Sequence, residues 1–318
     1  MTRPTPFNVR RVASIGGGPI GAGWTAHFLA RGYDVTAYLH DLAEEPVFRG
    51  IVDTAWISLE ALGLADGASR TRLAVTTDLT ELARDADFVQ ESAPENLAVK
   101  QALYERLGQL VPGDVIIASS TSGLTMTEIQ ARCSTPGRTV VGHPFNPPYL
   151  LPLVEITGGA RTDPGAIAWA RDFYQIAGKA PLVLKKEIPG FIATRLQEAL
   201  WREALHMVAN GEATPQDIDT ALINGPGPRL ALMGQCMAFH VACGAGGMAT
   251  NLDQFGPALK LAWTRLKAPE LTQELRDRMV DGCNEMAAGR HFEAMAADRD
   301  RGIVAILKAI REAAQPAS

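Results

Sequence analysis

Cysteine is scarce and scattered. The four in this 318-residue chain, Cys133, Cys236, Cys243 and Cys283, form no CxxC pair, which excludes a zinc-ribbon or disulfide scaffold and fits a reducing cytoplasm. No His or Cys cluster supports a metal site. There is no basic excess: 30 Lys and Arg against 35 Asp and Glu give a net charge of -5, so nothing in the charge favours nucleic acid. The start, MTRPTPFNVRRVASIGGG, reaches glycines before an apolar segment can form and does not read as a secretory signal. Internal repeats and low-complexity tracts are lacking. One stretch, 230–252, has no Lys, Arg, Asp or Glu. It is long enough to cross a bilayer, but Gly234, Gln235, His240, Gly244 and Gly246 interrupt it, so it reads as a buried wall or subunit interface rather than a membrane span. What is present is ordinary for a globular protein: 47% apolar and 20% charged residues, in a chain long enough for two domains.

The first half alternates between two hydrophobic periods. Apolar runs at 11–15, 34–39, 73–76, 87–91, 114–119, 139–143, 154–157 and 181–185 predict strands; helical spacing covers 20–31, 44–62, 96–110 and 163–177. Such alternation predicts an α/β fold, a Rossmann-like doubly wound and mainly parallel sheet. After Pro189 the pattern becomes helical: 190–210, then 214–222 with Thr214 as N-cap, then most of 269–314. The expected division is 1–188 for a dinucleotide-binding domain and 189–318 for an all-helical domain.

The junction of the first strand and helix carries the first chemical signal. Gly16, Gly18 and Gly21 match GxGxxG directly after a strand and at the mouth of a helix that opens with Pro19 and Ile20. The first glycine permits the tight turn, the second lets backbone approach a pyrophosphate, and the third lets the helix pack close to the sheet. NAD is the expected cofactor. The acidic residue that usually pairs with the ribose about 20 positions on is missing, because Leu39 stands there. Either Asp41 replaces it or NAD affinity is reduced.

More specific patterns follow: ESAPENL, ASSTSGL, GHPFNPPYLLPLVE and PGFIATRLQEALWREALH. In this order, with the glycine loop, they resemble the 3-hydroxyacyl-CoA dehydrogenase superfamily over nearly the whole chain. Within it, these segments and QFGPALKLAWTRLKAPELT are most similar to the L-carnitine branch. The branch of L-gulonate 3-dehydrogenase and lambda-crystallin comes next. The resemblance implies that His143 is the general base, Glu155 its partner and Ser122 a donor to the substrate oxygen. The chemistry agrees: hydride transfer from a secondary alcohol needs a base for the hydroxyl proton, and histidine titrates in the right range. The resemblance also places Glu95 and Lys100 near the cofactor, and Asn146 and Thr194 near the substrate. Thr194 departs from the amide or carboxylate residue expected at its position, and a hydroxyl cannot supply a carboxylate's charge.

Three features bear on the substrate. Arg229 can pair with a free carboxylate, which a thioester lacks. The region after the second strand has no Lys-rich segment to meet a CoA phosphate. Trp201, Phe239, Phe255 and Trp263 could surround a trimethylammonium by cation-π contact, although core packing explains any one of them as well. The expected protein is an NAD-dependent dehydrogenase of a small free 3-hydroxy acid such as L-carnitine, homodimeric through its helical domain, with neither nucleic acid nor membrane as partner. L-gulonate, a short-chain 3-hydroxyacyl-CoA and a crystallin-like structural role stay open.

Overall fold

A computed structural model describes residues 5–313 except 244, 246, 258–260, 262, 266, 268, 269 and 271. The chain separates into two compact units, Met1–Thr194 and Arg195–Ser318. Gly244, Gly246, Pro269 and Ala314 and the side chain of Cys283 lie outside the described residues.

Eight strands form one sheet in the first unit: β1 (Arg11–Ile15), β2 (Asp34–Tyr38), β3 (Leu73–Thr76), β4 (Phe88–Glu91), β5 (Ile116–Ser119), β6 (Thr139–Pro144), β7 (Leu153–Gly158) and β8 (Ala180–Val183). Their order is β3-β2-β1-β4-β5-β6-β7-β8. Every pairing is parallel except β6 with β7. The exception follows from chain length: residues 145–152 are too few for the crossover a parallel return needs, so β7 runs back beside β6.

The connecting helices are α1 (Pro19–Ala30), α2 (Glu45–Leu62), α3 (Leu79–Arg84), α4 (Leu97–Leu110), α5 (Met126–Ile129) and α6 (Pro164–Ile176). Helices α3 and α5 are too short to show a helical period, and the sequence reading did not assign them. Helix α1 is buried along its length from Gly21 to Ala30, as expected for a helix apolar on all sides. It and α6 cover one sheet face through an aromatic cluster, with Trp24 stacked on Phe28 at 5.2 Å and Phe88 against Phe173 at 4.2 Å. On the other face Val89, Ile117 and Val141 pack with Tyr104, Leu107 and Ile129.

The second unit is helical: α7 begins at the end of the first unit (Ala193–Ala209), followed by α8 (Pro215–Asn224), α9 (Gly227–Ala242), α10 (Gly247–Phe255), α11 (Gln273–Ala287) and α12 (Phe292–Ala313). Thr214 caps α8 in a reciprocal capping box with Asp217. The uncharged stretch is not a buried wall within the single chain. Gly234, at φ 68°, breaks α9, and Leu232, Val241 and Leu252 are more than half exposed. Among the described residues no helix is long and apolar enough to cross a membrane.

Candidate active site

The strand order reverses between β1 and β4, and a crevice opens there beyond the carboxyl ends of the strands, where open α/β sheets take their ligands. A cavity of about 1050 Å³ occupies it, walled by Gly16, Gly17, Gly18, Asp41, Glu44 and Ser92 among others. The glycine loop fits a pyrophosphate. A Cβ on Gly21 would stand 2.0 Å from the carbonyl oxygen of Gly16, so only glycine allows α1 to start so close to the strand. Gly16, at φ 116°, lies under the Ser92 carbonyl, whereas nothing approaches a Cβ position on Gly18 within 4 Å. Space for a ligand therefore lies in front of Gly18. Pro19 opens α1, and the first amides of a helix have no carbonyl of their own helix to meet, so those of Ile20 and Gly21 suit an anion.

Leu39 is fully buried, and its Cδ2 would lie 3.2 Å from a Cβ on Gly17. Asp41 caps the short turn Leu42–Glu44 by accepting from the amide of Ala43 at 2.9 Å. Arg49, the nearest cation along the chain, is paired with Glu45 at 2.7 Å.

Antiparallel pairing of β6 with β7 sets His143 directly opposite Glu155. Their side chains meet at 3.0 Å, His143 Nδ1 to Glu155 Oε2, with both groups buried. The second carboxylate oxygen accepts from the amides of Ile192 and Ala193, each at 2.9 Å, where the chain turns into α7. Burial alone would raise the Glu155 carboxyl. The hydrogen bonds from His143, Ala193 and Ile192 outweigh it and hold the group below the usual carboxylate range. An ionised carboxylate can only accept, so Nδ1 is the donor of this pair, and in the neutral imidazole Nε2 is then the nitrogen with the lone pair. Phe191 and Phe145 flank the imidazole, with ring centroids 5.1 and 5.5 Å away.

Ser122 lies on the loop leaving β5. Since Ser119 pairs with Val141 in parallel strands, this loop begins at the same end of the sheet as His143. Glu95 holds the loop, its Oε1 accepting from the Thr121 hydroxyl at 2.6 Å and from the amides of Ser122 and Gly123 at 3.0 Å. Burial would raise the Glu95 carboxyl, but Thr121, Lys100 and those amides depress it. Lys100 is buried, its ammonium 2.7 Å from Glu91, which also accepts from Ser119 at 2.6 Å. In the structure Glu95 and Lys100 thus fix the ends of β4 and β5.

Asn146 is exposed on the loop after β6, and Thr194 stands on the first turn of α7 next to Ala193. Arg229, Trp201, Phe239, Phe255 and Trp263 belong to the second unit, and all are exposed there, Trp263 to 71%.

Sequence reasoning missed a buried polar chain beneath the β4 and β5 ends. Tyr174 donates to Gln90 at 2.6 Å, Gln90 to Ser120 at 2.8 Å, and the same Ser120 hydroxyl meets Trp24 at 3.2 Å and Ser92 at 2.9 Å. These residues come from distant segments with no common spacing, so no motif announces them.

Residues 11–188 match the family described as 3-hydroxyacyl-CoA dehydrogenase, NAD binding domain, and residues 190–282 match 3-hydroxyacyl-CoA dehydrogenase, C-terminal domain. Among curated proteins, L-carnitine dehydrogenase of Streptomyces coelicolor is 57% identical over 305 residues, 96% of this chain and 96% of its own length. L-carnitine dehydrogenase of Streptomyces griseus is 56% identical over 306 residues, 96% of this chain and 91% of its own. Among solved structures, 5-formyl-3-hydroxy-2-methylpyridine 4-carboxylic acid 5-dehydrogenase, described as an NAD+-dependent dismutase, superposes with a TM-score of 0.80 at 30% identity, covering 95% of this chain and 99% of that one.

Proposed function

The chain belongs to the 3-hydroxyacyl-CoA dehydrogenase family and is an NAD-dependent oxidoreductase acting on a CH–OH group; from that premise we propose that it oxidises L-carnitine at its 3-hydroxyl to 3-dehydrocarnitine. The observation that carries this reading is the near-full-length identity with two L-carnitine dehydrogenases. The free carboxylate named in the structural relative's substrate agrees with a small acid rather than a thioester.

Gly16, Gly18, Pro19, Ile20 and Gly21 would hold the pyrophosphate of NAD, with Asp41, Glu95 and Lys100 towards its other parts. The chemistry that NAD would supply there is that of an acceptor for the hydride of the carbinol carbon. His143 takes the hydroxyl proton on Nε2, and Glu155 stabilises the imidazolium that results. Ser122 donates to the substrate oxygen, supporting the charge that develops as the proton leaves. Asn146 and Thr194 contact the substrate. We assign the cofactor role to 1–188 and the substrate role to 189–318, where Arg229 pairs with the carboxylate and Trp201, Phe239, Phe255 and Trp263 receive the trimethylammonium. The exposed apolar residues of α9 and α10 would then close on a second copy of the chain in a cytoplasmic homodimer, which light scattering of the purified protein tests as a doubled mass.

The deciding experiment follows reduced nicotinamide by absorbance, with L-carnitine, its methyl ester, L-gulonate and 3-hydroxybutyryl-CoA as substrates. A rate with L-carnitine that is lost with the ester is expected. A faster rate with L-gulonate or the CoA thioester overturns the carnitine assignment.

A further inference from the structure

Leu39 removes the carboxylate that would ordinarily pair with the adenosine ribose, and Asp41, the nearest acid in sequence, is engaged in capping its own turn. A third acid stands in the crevice. Glu44 closes the same turn, and its Oε2 lies 2.6 Å from where a Cβ on Gly17 would be, on the side of the glycine loop that Leu39 also faces. Gly17 is the residue between the first two glycines of GxGxxG. The Glu44 carboxylate is therefore laid along the loop itself, on the wall of the cavity, in an exposed position, and it takes no hydrogen bond or ion pair from the described residues.

We propose that Glu44 supplies the ribose-binding carboxylate of this chain and sets its preference for NAD over NADP. Chain geometry allows the replacement. The ordinary position projects its side chain straight from the end of β2, whereas Glu44 reaches the loop from the far end of a one-turn helix with a side chain one carbon longer than aspartate. Leu39 meets the Gly17 position with a methyl group, and Glu44 brings a carboxylate to that same position. A carboxylate can accept from both ribose hydroxyls at once. The same charge, with Asp41 close by, would repel a 2′-phosphate. Arg49, a cation close in sequence, is held by Glu45, whereas Arg106 of α4 lines the same cavity, and titration with NADP reads whether it offsets the two acids.

The proposal rests on NAD being the cofactor, and equilibrium binding separates the two questions. Intrinsic fluorescence would be titrated with NAD, NADP, ADP-ribose and nicotinamide mononucleotide for the unaltered protein, Glu44→Gln and Asp41→Asn. Glu44→Gln should weaken NAD and ADP-ribose about tenfold, the scale of a lost charge-assisted pair, and should narrow the gap to NADP. Nicotinamide mononucleotide, which lacks the adenosine half, should bind as before. An unchanged NAD affinity in Glu44→Gln, an equal loss for the mononucleotide, or a larger loss in Asp41→Asn would each overturn the role given to Glu44. If the unaltered protein fails to bind NAD, the cofactor assignment falls first and this proposal falls with it.

Discussion

His143 and Glu155 are twelve positions apart in the sequence and 3.0 Å apart in space, and two substitutions distinguish their roles. His143→Ala should lower kcat by at least about 100-fold, the lower end of what a positioned base contributes, with NAD affinity unchanged. Ordinary turnover in that variant would remove His143 from the chemistry. Glu155→Gln should also lower kcat by about 100-fold or more, since a carboxamide has one acceptor oxygen where Glu155 uses two, and its NH2 would face either the Nδ1 proton or the two backbone amides. It should also lower Tm, because Glu155 accepts two amides at the entry to α7. Equal kcat and Tm to the unaltered protein would show that this carboxylate neither tunes the base nor ties the chain. Ser122, His143 and Glu155 could be named from sequence because their motifs are local. Glu44 could not, since only folding lays its carboxylate against Gly17.

Elements one level up are fixed by close approach more than by propensity. Helix α1 meets the sheet where a Cβ on Gly21 would stand 2.0 Å from the Gly16 carbonyl oxygen, and backbone on both sides cannot yield cheaply. Gly21→Ala should therefore lower Tm and weaken NAD together, as binding and melting curves would register. Unchanged binding would mean that the loop tolerates a shifted helix. The alternating periods of the first half were legible, and the eight strands and four longer helices stand within a few residues of where the pattern put them. Helices α3 and α5 were not, because one or two turns carry too few apolar positions to define a period. The uncharged 230–252 stretch was legible as apolar but not as exposed, since composition does not say which surface a neighbour covers.

For the whole molecule, the buried cation Lys179 couples folding to pH. Its ammonium donates to the carbonyls of Pro148 and Leu151 and lies 4.9 Å from the Trp24 ring centre. Burial pushes it down to about 7. An unfolded lysine titrates near ~10.4, so between those values the unfolded chain holds a proton that the folded chain has released. Stability from this group therefore rises with pH across that window, and the full cost of burying the charge applies below about 7. Urea midpoints at neutral and at alkaline pH should show this rise for the unaltered protein and a flatter dependence for Lys179→Met. Identical pH dependence in both would mean that Lys179 keeps its proton throughout.

The sequence by itself determined the class of fold and the glycine loop, because hydrophobic period and turn chemistry are local properties of the chain, and its motifs, through the family they resemble, offered Ser122, His143 and Glu155 as candidates. Tertiary structure decided the antiparallel return of β7 that sets Glu155 opposite His143. It also decided the burial of Lys179, the polar chain from Tyr174 through Gln90 to Ser120, and the place of Glu44 beside Gly17. Each of these depends on which distant segments share a register or a layer, and that is settled only when the whole sheet closes and water leaves its faces.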